Sequence, residues 1–364
     1  MVISNFSLDF GGGASERCSL VARLINNNFY RFSIVTCKFK LDKSRIDSHK
    51  PIPIYIFNSI FNNLIPLPNF IKLNLLVKKS DIIFLHCHWS FLNLYFLIYG
   101  IFRDKKIIFA PLGGLNREVV FNFKKFMFNL FFTNFFLRNS DLILAVNKRE
   151  ALQLIKIGAL NTKTYIIPNF INVSDYKKIG KDKLNFEYIL FVGRLAYIKG
   201  VDILLDSFVN ISSKYPALNL VFMGQDGGLK EKLLMSANRS LIAHRIHFLG
   251  FLNGTKKNSV YKGAKLIVVP SRSEAMSIVA VEAGIFSKPL IITENCGFDD
   301  ISRYGAGVVV RPNAIEISAA ICNLVNDSSL SKQLATNLNV LVIQSYTIEN
   351  IAKKYREIFR KLSL

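Results

Sequence analysis

Apolar runs without polar interruption recur along the whole chain, and segments of helix length separate them. The first series is 32-FSIVTC-37, 82-IIFLHC-87, 107-IIFA-110, 142-LILAV-146 and 164-TYIIP-168, preceded by a short run, 2-VISNFS-7. The second is 188-YILFVG-193, 218-LNLVFMG-224, 246-IHFLG-250, 265-KLIVVP-270, 289-PLIIT-293 and 307-GVVV-310. A strand with one wet face alternates apolar and polar residues, whereas a continuous run suits a strand covered on both faces. Alternation with helices therefore predicts an α/β chain of two doubly wound, Rossmann-like parallel sheets.

The two series part at 169-NFINVSDYKKIGKDKLNFE-187, a polar, charged and turn-rich stretch. With 364 residues the chain is long for one core and suits two. We place a first domain at 1–172 and a second at 173–346. The last segment, 347-TIENIAKKYREIFRKLSL-364, reads as an amphipathic helix packing back onto the first domain. In open parallel sheets ligands gather at the carboxyl ends of the strands, so two such sheets predict a site in the cleft between them.

From Ile82 to Phe102 no Asp, Glu, Lys or Arg occurs, a length that spans a bilayer. His86, His88, Ser90, Asn93 and Gly100 interrupt it. We read it as a buried strand, 82–87, followed by an apolar helix, about 90–102. The N-terminus lacks the pattern of a signal peptide. Five scattered cysteines without a CxxC point to free thiols in a reducing, cytoplasmic setting. The net charge is +22; residues 1–172 carry 22 basic and 9 acidic residues, residues 173–364 carry 25 and 16. Such a field favours phosphates, whether of nucleotides, nucleic acid or lipid.

Three strand-end loops carry chemistry. The triple glycine of 9-DFGGGASER-17, with Gly12 and Gly13 at its end, precedes a helical pattern; glycine admits close backbone approach, and a helix start offers N–H groups to an anion. It is equally the composition of a tight turn without a ligand. In 191-FVGRLAYIKG-200, Arg194 and Lys199 share one strand-to-helix loop, and two such cations can bracket a diphosphate. In so basic a chain they also fit solvated surface positions. The third loop is 270-PSRSEAMSIVAVEAG-284, where Glu274 lies in the connection and Glu282 in the first turns of the following helix. The spacing predicts that both carboxylates approach one ligand as hydroxyl acceptors, with the amides of Met276, Ser277 and Ile278 turned toward the same ligand. A molecule rich in hydroxyls and phosphate is a nucleotide-sugar.

At these residues the chain resembles the retaining glycosyltransferases of family 4, the glycosyl transferases group 1, which have the GT-B fold. The matching elements are 11-GGGASER-17, 166-IIPNFIN-172, 191-FVGRLAYIKG-200, 221-VFMGQDGG-228, 248-FLGFLN-253, 270-PSRSEAMSIVAVEAG-284 and 293-TENCGFDDI-301. The resemblance implies a fold of two Rossmann-like domains facing across a cleft. It implies that Arg194 and Lys199 neutralise the donor diphosphate, that Glu282 holds the ribose hydroxyls and that Glu274 stands beside the donor sugar. It further implies that Gly12 and Gly13 close over the phosphates, and that Gly250 to Leu252 edge the base. The implied reaction is transfer from a nucleotide-diphosphate sugar with retention, through an oxocarbenium-like transition state.

Two departures matter. The loop after the first glutamate is Ala275-Met276-Ser277 rather than glycine-rich, and the turn 110-APLGGLN-116 lacks the family's frequent histidine. His86 and His88 end the preceding strand; His86 is the candidate for contact with the sugar or acceptor, and a buried structural histidine is the other reading. No Asp-x-Asp occurs, which agrees with a metal-independent reaction and no cofactor.

The expected partners are a nucleotide-sugar donor and a glycan or polyprenyl-diphosphate-linked acceptor, as in O-antigen, capsule or exopolysaccharide assembly. The segment 121-FNFKKFMFNLFFTNFFLRNSD-141 mixes Phe with Lys124, Lys125 and Arg138. It fits an anionic membrane at the inner face of the cytoplasmic membrane, or a helix buried on the first sheet. A nucleic-acid-binding protein, suggested by the charge, lacks a motif and a basic cluster. A catalytically silent scaffold is disfavoured by the four charged residues of the motifs, and a nicotinamide oxidoreductase by the missing GxGxxG.

Overall fold

The computed structural model describes residues 1–7, 12–26, 30–60, 65–67, 69–115, 123–181 and 184–363. Gly11 of the triple glycine and Phe121–Asn122 of the Phe-rich segment lie outside the described residues. The chain divides into two compact units: Met1–Asn169 joined by the C-terminal helix Ile348–Ser363, and Phe170–Thr347.

In the first unit the parallel strands Ile34–Cys37 and Ile54–Phe57 pair in register, Ile34 opposite Ile54. Ile82–His86, Lys106–Ala110, Leu142–Ala145 and Thr164–Ile166 form the other four-stranded parallel series. Val2 joins the two, bridging both Val35 and Leu85. The expected strand over 2–7 thus contracts to that one residue. Asn5 is the reason: its Oδ1 accepts from the Ser7 amide at 3.1 Å and the Ser7 hydroxyl at 2.9 Å, a side-chain-closed turn that takes the chain off the ladder. The strand Ile54–Phe57 was not anticipated, because Pro51 and Pro53 punctuate its approach.

The apolar window 82–102 resolves into the strand Ile82–His86 and the helix Phe91–Phe102. Ser90 caps the helix, its hydroxyl accepting from the Asn93 amide at 3.1 Å. Among the described residues no helix is long and apolar enough to cross a membrane. The C-terminal helix turns Ile351, Tyr355, Ile358 and Phe359 inward, and it packs on the helix Gly12–Ile25.

The second unit holds a six-stranded, wholly parallel sheet. Its spatial order is Ile246–Gly250, Leu218–Met223, Glu187–Val192, Leu266–Val269, Leu290–Thr293, Val308–Val310. The first strand in sequence, Glu187–Val192, therefore lies in the middle, and the order reverses between it and Leu266–Val269. That reversal is the topological switch point, where adjacent crossover helices leave on opposite faces and their loops open a crevice. Helix Val201–Ile211 covers one face through Val201, Leu204 and Phe208, which join Phe191, Leu220 and Val268 in one core.

Candidate active site

The two loops flanking the switch point are those that carry the sequence motifs. One runs from Gly193 to Gly200 after the strand Glu187–Val192; the other runs from Pro270 to Ser277 after Leu266–Val269. They meet backbone to backbone. The Arg272 amide donates to the Ile198 carbonyl at 2.8 Å. Gly200 has φ +66°, and a Cβ there would lie 2.0 Å from the Pro270 carbonyl oxygen. Only glycine fits this approach.

Side chains reinforce the junction. The Arg272 guanidinium forks onto both carboxylate oxygens of Asp202, at 2.8 and 2.6 Å. It also donates to the Tyr197 carbonyl at 2.5 Å and stacks on the Tyr197 ring, 3.7 Å from its centroid. Burial pushes the Asp202 carboxyl up, but the bonds and charge of Arg272 outweigh it and hold it below its usual range. The Asp202 bonds, in turn, raise Arg272.

Across this junction Lys199 Nζ reaches Glu274 Oε1 at 2.7 Å. Ser271 Oγ donates to the same oxygen at 2.5 Å. Arg194 is exposed, and its guanidinium has no hydrogen bond or ion pair among the described residues. The site thus holds one cation paired with a carboxylate and one cation open to a ligand.

Glu282 sits in a different set of contacts. It is buried in the helix Ile278–Ile285, and Tyr176 donates to its Oε1 at 2.8 Å. Lys257 bonds the same oxygen, and Tyr261 bonds Oε2. Burial, and then the Glu282 charge, push the Tyr261 hydroxyl well above its ordinary pKa. Among the described residues Glu274 and Glu282 have separate hydrogen-bond partners. Each carboxylate is met by its own lysine, because an unpaired buried charge costs more than it returns. A hydroxylic ligand at either must exchange with those donors.

The loop amides are also partly engaged. The Glu274 amide donates to the Asn295 carbonyl at 2.9 Å, and the Ser277 amide to the Cys296 carbonyl at 3.2 Å. Ser277 caps the helix with its amide so spent, so this N–H does not turn toward a ligand as expected. Its hydroxyl is enclosed without a partner among the described residues. Met276 is buried, and Ile278 opens the helix.

Gly250 ends the strand Ile246–Gly250 with φ +68° and is exposed, and its carbonyl accepts from the Gly224 amide at 2.8 Å. Leu252 is half-buried two residues on. In the first unit, Gly12 and Gly13 open the helix Gly12–Ile25, both exposed, and a Cβ on either would meet nothing within 4 Å.

His86 is corrected. It has no exposed surface, neither ring nitrogen has a partner among the described residues, and burial drives its pKa well down. It is a neutral core residue. His88 is likewise enclosed, its Nε2 3.1 Å from Thr133 Oγ1 and its ring among Phe109, Phe128 and Phe136.

Sequence reading missed Arg272, Asp202, Lys257, Tyr176 and Tyr261. Arg272 stood inside the quoted motif, and Asp202 two residues beyond Gly200. Their pairing links positions 70 residues apart, which no local spacing reveals.

Residues 173–339, nearly all of the second unit, match the family model of the glycosyl transferases group 1. The chain is 29% identical to the uncharacterized glycosyltransferase MJ1607 of Methanocaldococcus jannaschii over 54% of each chain. It is 26% identical to MJ1178 of the same organism, over 79% of this chain and 78% of that one. Against the D-rhamnosyltransferase WbpZ of Pseudomonas aeruginosa it is 26% identical over 65% and 62%. MJ1178 apart, the chain spans about half the length of the first curated relatives it matches. Among solved structures, Anabaena HepE in complex with UDP and glucose superposes with a TM-score of 0.82 at 17% identity, covering 99% and 98%. Sucrose-phosphate synthase from Thermosynechococcus elongatus superposes at 0.73 and 18%, covering 96% and 92%. The fold is that of the GT-B glycosyltransferases, and residues 173–339 of the second unit are similar to the glycosyl transferases of group 1.

Proposed function

We propose that the protein transfers a sugar from a nucleoside-diphosphate donor to a glycan or polyprenyl-diphosphate-linked acceptor, with retention of configuration. The observation that carries this reading is the pairing of Lys199 with Glu274 at 2.7 Å at the switch point, on a loop that also carries the exposed Arg194. A donor diphosphate entering there takes Arg194 as a planar fork and draws Lys199 from Glu274. Glu274, released, accepts a hydroxyl of the sugar. As the glycosidic bond breaks, negative charge grows on the departing diphosphate, and the two cations stabilise it in place. Glu282 receives ribose hydroxyls by exchanging Tyr176 or Lys257 for them. The cations and loop amides supply the positive charge, so the reaction needs no divalent metal or other cofactor.

Retention rests on the family resemblance. The glycan class rests on relatives such as WbpZ and the O-antigen chain mannosyltransferase C of Escherichia coli, which support a place in bacterial cell-surface polysaccharide assembly. Such an acceptor is met at the inner face of the cytoplasmic membrane, where we place the protein peripherally.

A thermal-shift panel of nucleotides and nucleotide-sugars tests the reading, since a ligand bound only by the native state raises its melting temperature. UDP, the nucleotide in the HepE complex, is the first probe and GDP the second. One of them stabilises wild type, and Arg194→Ala abolishes the shift. A flat panel rejects the assignment.

A further inference from the structure

The helix Phe123–Asn139 carries large apolar side chains on its exposed side as well as on its buried one. Its inner side buries Phe128, Phe136 and Leu137. Its outer side shows Phe123, Phe126, Leu130 and Phe131 to solvent, at 64%, 49%, 62% and 63% exposure. A surface helix normally turns polar side chains outward, and a contiguous exposed apolar patch rimmed by charge marks an interaction surface. The helix Phe91–Phe102 packs beside it and the helix Phe70–Lys78 beside that. These extend the same character, with Phe102 82% and Ile71 77% exposed.

Charge identifies the cover. None of the three helices contains Asp or Glu. Exposed cations outnumber exposed acids at their borders: Lys78, Lys79, Arg103, Lys124, Lys125 and Arg138 against Asp81 and Asp104. A second copy of this chain meeting this face would oppose one net-positive surface to another. A bilayer with anionic headgroups satisfies both components, taking the aromatic and aliphatic side chains into the interface and the cations at the phosphates.

We infer that the outer face of these three helices is a docking surface for an anionic lipid membrane. The inference rests on the peripheral location proposed above and is independent of the transfer chemistry. It names the surface and the lipid charge that location requires.

The chain supplies its own reporter. Trp89, its one tryptophan, donates its indole N–H to Asn129 Oδ1 at 2.8 Å, and Lys125 Nζ lies 3.9 Å from its ring centroid. The full-length protein is mixed at low salt with vesicles of phosphatidylglycerol and phosphatidylcholine, or of phosphatidylcholine alone. Co-sedimentation and Trp89 emission are read. Wild type sediments with the anionic vesicles, its emission shifts, and high salt or neutral vesicles release it. Lys124→Glu with Lys125→Glu lowers the partition about tenfold or more, at about 1 kcal/mol per cation near the surface. Phe126→Ser, Leu130→Ser and Phe131→Ser together also abolish binding, while the nucleotide-induced thermal shift of wild type persists in both variants and certifies their fold.

Wild type that ignores anionic vesicles at low salt overturns the inference, as does a serine variant that binds them undiminished. A wild-type dimer that the serine variant dissociates would identify a second copy as the cover and overturn it equally. Failure of the transfer reading is separate: it removes the nucleotide shift from every protein and leaves vesicle binding intact, with circular dichroism then certifying the fold.

Discussion

Lys199 Nζ stands 2.7 Å from Glu274 Oε1, and these residues come from neighbouring strand-end loops on either side of the point where the sheet order reverses. The pair keeps each charge compensated until a ligand arrives. Removing one partner therefore separates two effects. Glu274→Gln leaves Lys199 without its counter-charge, so UDP binds as tightly as to wild type or tighter while sugar transfer collapses. Lys199→Ala weakens UDP and lowers transfer about 10²- to 10³-fold, the usual loss for one preorganised donor. Isothermal titration and a labelled-sugar assay read the two; UDP affinity unaltered in Lys199→Ala contradicts the role.

Arg272 and Asp202 position those loops rather than touch a reacting atom. Arg272→Gln or Asp202→Asn weakens UDP binding, and the exchange Arg272→Asp with Asp202→Arg recovers part of it. A doubly exchanged protein no better than the singles would leave the pair without a positioning role. Acid acts on the same contact. Because the folded carboxyl of Asp202 is held low, its stabilisation is present above the unfolded value of about 3.9 and fades as pH falls through the folded value. Asp202→Asn consequently loses less melting temperature than wild type between about pH 5 and pH 3.

Glu282 is a buried acceptor for three donors, so its loss is structural as well as functional. Glu282→Ala strands Tyr261, Tyr176 and Lys257 and costs about 3–5 kcal/mol, as when one partner of a buried pair is removed. Tyr261→Phe removes one bond and costs about 1–3 kcal/mol. Urea unfolding measures both; equal losses would mean that the carboxylate is not the hub.

Burial lowers His88 to a pKa of about 4. A histidine normally takes its proton near 6.5, so between these values the unfolded chain binds the proton and the folded one does not. Stability is complete above the unfolded value and falls as pH drops from about 6.5 toward 4, by about 2 kcal/mol at pH 5 from this residue, at 1.36 kcal/mol per unit. Denaturant titrations of wild type and His88→Phe at pH 7 and pH 5 check the sign: the variant has the flatter profile.

Gly200→Ala adds a methyl 2.0 Å from the Pro270 carbonyl oxygen at a φ of +66°. Left-handed strain and overpacking add, for about 3 kcal/mol or more. The loops separate, so nucleotide binding falls together with melting temperature. A variant as stable as wild type would show that the junction is not tight.

The succession of strands and the position of the motif loops at strand ends were legible in the sequence, whereas the expected boundary at 172/173 falls at 169/170 in the folded chain. Continuous apolar runs report burial on both faces, and loops at strand ends inherit their place from the topology. Glu274, Lys199 and Arg194 can be singled out from sequence because their motif spans are short. The first strand was overestimated because Asn5, through one side-chain oxygen, redirects the backbone. His86 carries two readings in sequence, ligand contact or buried structural residue, because a histidine at a strand end looks the same whether its ring faces solvent or core. What the sequence determined was the order of its elements and the residues its loops carry, since both follow from local composition and period. Only the tertiary structure decided that Arg272 holds Asp202, that Glu282 belongs to Lys257 and two tyrosines, and that His86 is sealed, because those outcomes depend on which distant side chains the packed sheet brings within bonding distance.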